Sequence, residues 1–183
     1  MRRSLVLVFS LAITTTAASA QNTWHNVHFG ESRDDVRSQI TAENMPLSTS
    51  QDGTLQSNTD YELALPGLRH TFPMLISFHF ADDATLTDVT LALDLPGMKH
   101  YWAAIGSDEA LLNFAAEHLT TALTSIYGAP LYHSTACDAD PKQPSPFCIL
   151  SWRGADQTVE IERSAGTHGQ RLLIRYQPLA TDL

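Results

Sequence analysis

Beyond residue 20, this 183-residue sequence holds no long hydrophobic run. A spanning helix needs about 20 predominantly apolar residues, so no later segment is expected to cross a bilayer as a helix. Basic residues are scarce: eleven Lys and Arg stand against twenty Asp and Glu, a net charge of −9. Such a surface repels phosphate backbones and anionic lipid, which excludes nucleic acid and membrane surfaces as partners. A cationic protein partner is allowed by the same argument. Cysteine is limited to Cys137 and Cys148. Their spacing is not C-x-x-C and no histidine sits between them, which argues against a thiolate metal site or a redox pair.

Catalytic signatures are missing as well. There is no G-x-S-x-G, S-x-x-K or Cys–His arrangement. Gly166-Thr167-His168-Gly169 precedes no helix, so it is no phosphate cradle. No catalytic residue, metal site or cofactor is assigned.

What is present begins with export. Arg2 and Arg3 form a charged start, Leu5 to Ile13 an apolar run, and Ala18-Ser19-Ala20 an A-x-A cleavage site. Residues 1–20 therefore read as a signal peptide cut between Ala20 and Gln21, leaving a periplasmic or secreted domain over residues 21–183. The competing reading is an uncut N-terminal anchor helix. Gln21 stands where a lipoprotein would need cysteine, so a lipid anchor is not expected. All the acidic residues lie beyond the leader and two basic ones lie within it, so cleavage makes the chain more acidic still. In an oxidising compartment an even cysteine count reads as a disulfide, here Cys137–Cys148. It closes a loop that contains Pro141, Pro144 and Pro146 and has no regular structure of its own.

Periodicity then gives the elements. Ser32 caps a helix with Asp34 and Asp35 in its first turn and Val36 and Ile40 on one face, ending near Glu43. Residues 46–58 are polar, with a turn at Asp52-Gly53. Tyr61, Leu63 and Leu65 share a strand face. After Pro66-Gly67, alternation runs through Phe72, Met74, Ile76, Phe78 and Phe80, turns at 82–85, and returns through Val89, Leu91 and Leu93. Pro96-Gly97 is read as the end of this hairpin. Ser107 caps a second helix of about twenty residues, which stops at Gly128 and Pro130. Its expected apolar stripe is Leu111, Phe114, Ala115, His118, Leu119, Ala122 and Ile126. Four extended segments follow: 131–136, 147–153, 158–163 and 170–177. The sum is an α+β fold, with helices on one face of antiparallel sheet and two possible diverged halves, 21–96 and 97–183.

Phe29-Gly30-Glu31-Ser32 with Asp35-Val36, the hairpin from Phe78 to Leu93, Tyr127-Gly128-Ala129-Pro130 and the strand bearing Trp152 carry a family likeness. The pattern resembles small α+β modules of SmpA/OmlA-type outer-membrane assembly lipoproteins and of β-lactamase inhibitor proteins. That resemblance implies a role in binding other proteins and carries over no catalytic residue. The lipobox cysteine of the assembly lipoproteins is absent here.

The candidate binding residues are Met98, Tyr101 and Trp102, which lie beside the Pro96-Gly97 break, and Phe147 on the Pro-rich disulfide loop. Aromatic and Met side chains dominate interface energetics, and a rigid loop loses little entropy on binding. The alternative is that Tyr101 and Trp102 pack as core between the halves. His25 and His28 would face opposite sides of a strand and so share no metal. His79 is expected exposed, and His118 satisfied within the core. Asp138 and Asp140 lack the further ligands of a calcium loop, and Asp82-Asp83 suits a turn. The leading expectation is a non-catalytic protein-binding module, an inhibitor, immunity or envelope-assembly factor whose partner is another protein, of cationic type in one version. Two rivals stand beside it: a small-ligand binder with an apolar pocket between helix and sheet, and a hydrolase whose bases would be His79, His118 or His168.

Overall fold

The computed structural model describes residues 23–24, 26–134, 137, 147–164 and 170–179. The expected leader and its expected cleavage point, His25, Asp138 to Pro146 and Gly166 to Gly169 lie outside the described residues. The chain opens with a small hairpin, β1 (Thr23–Trp24) and β2 (Val27–His28). Helix α1 (Arg33–Ala42) follows. Then come β3 (Leu47–Thr49), β4 (Leu55–Ser57), β5 (Tyr61–Leu63), β6 (Phe72–Phe80) and β7 (Leu86–Leu93). Helix α2 (Leu95–Trp102) leads through a 3₁₀ turn, Ala103–Ile105, to α3 (Asp108–Tyr127). Strands β8 (Tyr132–His133), β9 (Phe147–Arg153), β10 (Gln157–Ser164) and β11 (Arg171–Pro178) complete the fold. This is an α+β protein.

The helix ends follow their caps. Ser32 accepts from the Asp35 amide and Ser107 from the Ala110 amide, each taking up a donor the first turn leaves unpaired. Gly128, at φ +85°, ends α3 in a conformation that strains any residue with a Cβ, and its amide donates to the Thr124 carbonyl. The buried face of α3 is Leu111, Leu112, Ala115, Leu119, Ala122 and Leu123. It is rotated from the expected stripe: Leu112 and Leu123 enter the core, whereas Ile126 is 40 % exposed.

The structure corrects three further expectations. Pro96-Gly97 does not only end a strand; it begins α2. Asp94 is the N-cap, its carboxylate accepting from the Gly97 amide at 2.6 Å, and proline is tolerated in a first turn because its missing N–H would be unpaired there. Residues 46–58 contain the hairpin of β3 and β4, with Leu47 opposite Ser57 and Thr49 opposite Leu55. Of the region expected to be extended over 131–136, the described residues 131–134 contribute only the two residues of β8.

Nine strands form one antiparallel sheet in the order β3-β4-β6-β7-β11-β10-β9-β8, with β5 also pairing β6. The strands before α2 and those after α3 are thus sewn together by β7 against β11. Strand alternation puts one residue in two on the helix side. One buried row crosses six strands: Leu55, Phe78, Val89, Tyr176, Val159 and Trp152. A second runs Ile76, Leu91, Ile174, Ile161 and Leu150. Val36 and Ile40 of α1, Met98 of α2 and the buried face of α3 complete this single core.

Candidate protein-contact surface

The residues singled out around α2 divide by helical phase. Met98 and Trp102 lie four apart and both turn inward. Met98 is fully buried, so it belongs to the core and cannot serve as a surface anchor. Trp102 is half-buried, with its ring edge-on to His70 at 4.6 Å and tilted on Phe114 of α3 at 5.0 Å. It closes the core between the β5–β6 connection and α3. Tyr101 is 66 % exposed, edge-on to His100 at 5.1 Å. Of the three, only Tyr101 projects from the surface. Lys99 reaches Asp108 at 2.7 Å and ties α2 to the start of α3.

The disulfide builds the second surface. Cys148 stands opposite Arg163 on the helix side of the sheet, and its sulfur bonds Cys137 with the Cα atoms 4.8 Å apart. Ser134 reinforces the link: its hydroxyl accepts from the Ile149 amide at 3.0 Å, and its carbonyl accepts from the Cys137 amide at 2.8 Å. The Leu131 and Ser134 amides donate to the carbonyls of Ser151 and Ile149. This edge segment is therefore held to β9 at both ends. It carries Leu131 and Tyr132, with Phe147 at the start of β9, and all three project outward. Phe147 is thus exposed, as a contact residue must be. Leu131 and Tyr132 were not singled out from sequence; large apolar residues directly after a helix stop and beside a bridged cysteine were the available sign.

The sheet face away from the helices is the third element. Leu75, Ala92 and Leu173 lie side by side across β6, β7 and β11, and Glu162 and Ile149 continue the row. Leu75 is exposed. By alternation Phe147 shares the face of Ile149, and Tyr132 pairs with Ser151 on that same face. The edge aromatics and the apolar row form one surface. Its charges are partly paired: the Arg171 guanidinium donates twice to one Glu162 oxygen, at 2.5 and 3.1 Å.

The titratable groups offer little chemistry. His79 is half-buried rather than freely exposed, its Nδ1 3.4 Å from the Thr54 hydroxyl and its Nε2 3.9 Å from Asp88. Nδ1–H of His118 donates to the Phe114 carbonyl at 3.0 Å, and the two rings lie 4.2 Å apart. That satisfies the imidazole structurally. Two Thr85 donors hold the Asp83 carboxyl below its usual range. Partial desolvation and the neighbouring Asp94 push the largely exposed Asp60 up. Burial likewise pushes up the Tyr176 phenol. Among the described residues no three His, Cys, Asp or Glu side chains converge as a metal site, and no helix is long and apolar enough to cross a membrane.

No protein-family model matches this chain, and no match is found among curated proteins or solved structures.

Proposed function

We propose that this is an exported, non-catalytic protein-binding module that grips its partner with the disulfide-stapled edge and the sheet face away from its helices. The observation that carries this reading is the gathering of Leu131, Tyr132 and Phe147 on one rigidly held edge. Exposed apolar groups beside the sheet face that lies away from the helices are the anatomy of an interface core, because their burial on association is favourable and their ordering cost is already met. The disulfide fits an oxidising compartment. The excess of acidic residues favours a basic partner, whose approach it would accelerate. The resemblance to assembly lipoproteins and β-lactamase inhibitor proteins points the same way, to an inhibitor, immunity or envelope-assembly role.

Site-specific photo-crosslinking in the producing cells tests this. A benzophenone side chain at Tyr132 or Phe147 should yield one reproducible adduct, while the same group at Ser38 of α1 should not. Absence of an adduct at both edge positions would remove the edge from the proposal.

A further inference from the structure

The last turn of α3 and the turn between β9 and β10 enclose a cleft of about 390 Å³. Ile126 and Tyr127 form its helix wall, and Arg153, Gly154, Asp156 and Gln157 its sheet wall. Gly154 makes the close fit possible. A Cβ there would stand 3.2 Å from Cγ of Gln157 and 3.5 Å from the Tyr127 ring.

The cleft is rich in acceptors. Gln157 is only 5 % exposed, yet its side-chain oxygen Oε1 has no hydrogen-bond partner, whereas its main-chain carbonyl accepts from the Gly154 amide at 2.7 Å. A buried amide oxygen left unpaired costs free energy that a donor from outside would recover. Burial pushes the Tyr127 phenol up, a hydrogen bond with the Gln157 side chain opposes this, and the charge of the nearby Asp156 adds a smaller rise. The C-terminus of α3 adds the negative end of its dipole, and its last turn carries no Lys, Arg or His to neutralise it. The Tyr127 ring offers a π face, and the 40 % exposed Ile126 an apolar shelf for an aliphatic stem. Arg153, on the exposed rim, is the one basic residue of the lining among the described residues.

From these features we infer that the cleft is a subsite for a cationic side chain, the guanidinium or ammonium of an arginine or lysine on a partner protein. The inference rests on the protein-binding reading above and adds to it the chemistry of one anchor. The head group would donate to the Gln157 side-chain oxygen and Asp156, with its stem along Ile126. The acidic surface draws such a partner in, and the cleft gives one of its basic residues a defined seat.

The test uses ¹⁵N-labelled protein titrated with Nα-acetyl-arginine amide, Nα-acetyl-lysine amide, the uncharged Nα-acetyl-glutamine amide, and spermidine. At least one blocked cation should give saturable shifts at Tyr127, Gly154 and Asp156, and the uncharged amide none. Asp156→Asn should weaken binding by about two- to fivefold, the worth of an exposed ion pair, and Arg153→Gln should tighten it. A merely structural role would not give opposite signs at these two surface positions. The proposal is overturned by absent or unsaturable shifts, by equal binding of the uncharged amide, or by binding that neither substitution moves. Spermidine binding more than about tenfold tighter than either blocked residue would make this a polyamine site and overturn the partner side chain as its source. The titration needs no partner, so failed crosslinking at Tyr132 and Phe147 and a failed titration here count against different claims.

Discussion

Ile174 of β11 lies directly opposite Leu91 of β7, and this pairing joins the two groups of strands into one sheet. Both side chains are fully buried, with Ile76 and Ile161 as their outer neighbours in the row. Ile174→Ala should therefore cost about 2–5 kcal/mol, the usual penalty for deleting a large aliphatic group from a packed core. Urea unfolding followed by tryptophan fluorescence and by far-UV circular dichroism should give one coincident transition, shifted to lower urea. Two separated transitions would mean that the halves fold independently despite their shared sheet.

The disulfide spans a sequence separation of 11. In the chain-entropy view its loss relaxes the unfolded state and costs about 3 kcal/mol. The double variant Cys137→Ser, Cys148→Ser should show that loss by denaturant titration while keeping its secondary-structure spectrum. A larger loss with altered spectra would mean that β8 and β9 depend on the bridge to form.

The Ser107 hydroxyl accepts from the Ala110 amide at 3.2 Å, at the head of a twenty-residue helix. Ser107→Ala should cost about 1 kcal/mol and Ser107→Asp should restore it, since aspartate caps as well as serine. Thermal melts of the two variants measure the difference directly.

Asp60 gives a stability change that depends on pH. Its carboxyl is raised by partial desolvation first, then by Asp94, with Glu62 adding repulsion. The folded state thus binds this proton more tightly than the unfolded chain does. The benefit is complete below the ordinary carboxylate range and is lost as pH rises through the elevated folded value. Asp60→Asn should therefore stabilise the protein at neutral pH, and the gain should shrink on acidification. Denaturant midpoints at the two pH extremes check the sign; equal gains at both would show that the carboxyl charge is not responsible.

Much of this architecture is written locally. Ser107, Gly128 and Pro130 mark both ends of α3 without reference to anything distant, and the alternation from Phe72 to Phe80 marks β6 in the same way. Strands β3 and β4 carry one apolar residue each and so show no alternation within residues 46–58, whereas the equally short β5 is visible through Tyr61 and Leu63. The start of α2 depends on Asp94 reaching the Gly97 amide; without that cap, Pro96-Gly97 reads as a break. Met98 and Tyr101 look alike as candidate anchors until the phase of α2 is known, and phase separates a core residue from a surface one. The rotation that buries Leu112 and exposes Ile126 is set by how α3 lies on the sheet, a long-range relation. The cleft beside Gln157 has no local signature at all, because a glutamine at the start of a strand ordinarily faces water.

The sheet's long strands, β6, β7, β10 and β11, are all interior, while the outermost ones, β3, β5 and β8, have three, three and two residues. An unpaired backbone rim invites copies of the same molecule to add on, end without end, and brief rims leave little to copy. The terminal strands therefore guard against fibril growth. An engineered extension of β8, which would lengthen that rim, should carry a colloidal penalty even where it makes each single molecule sturdier.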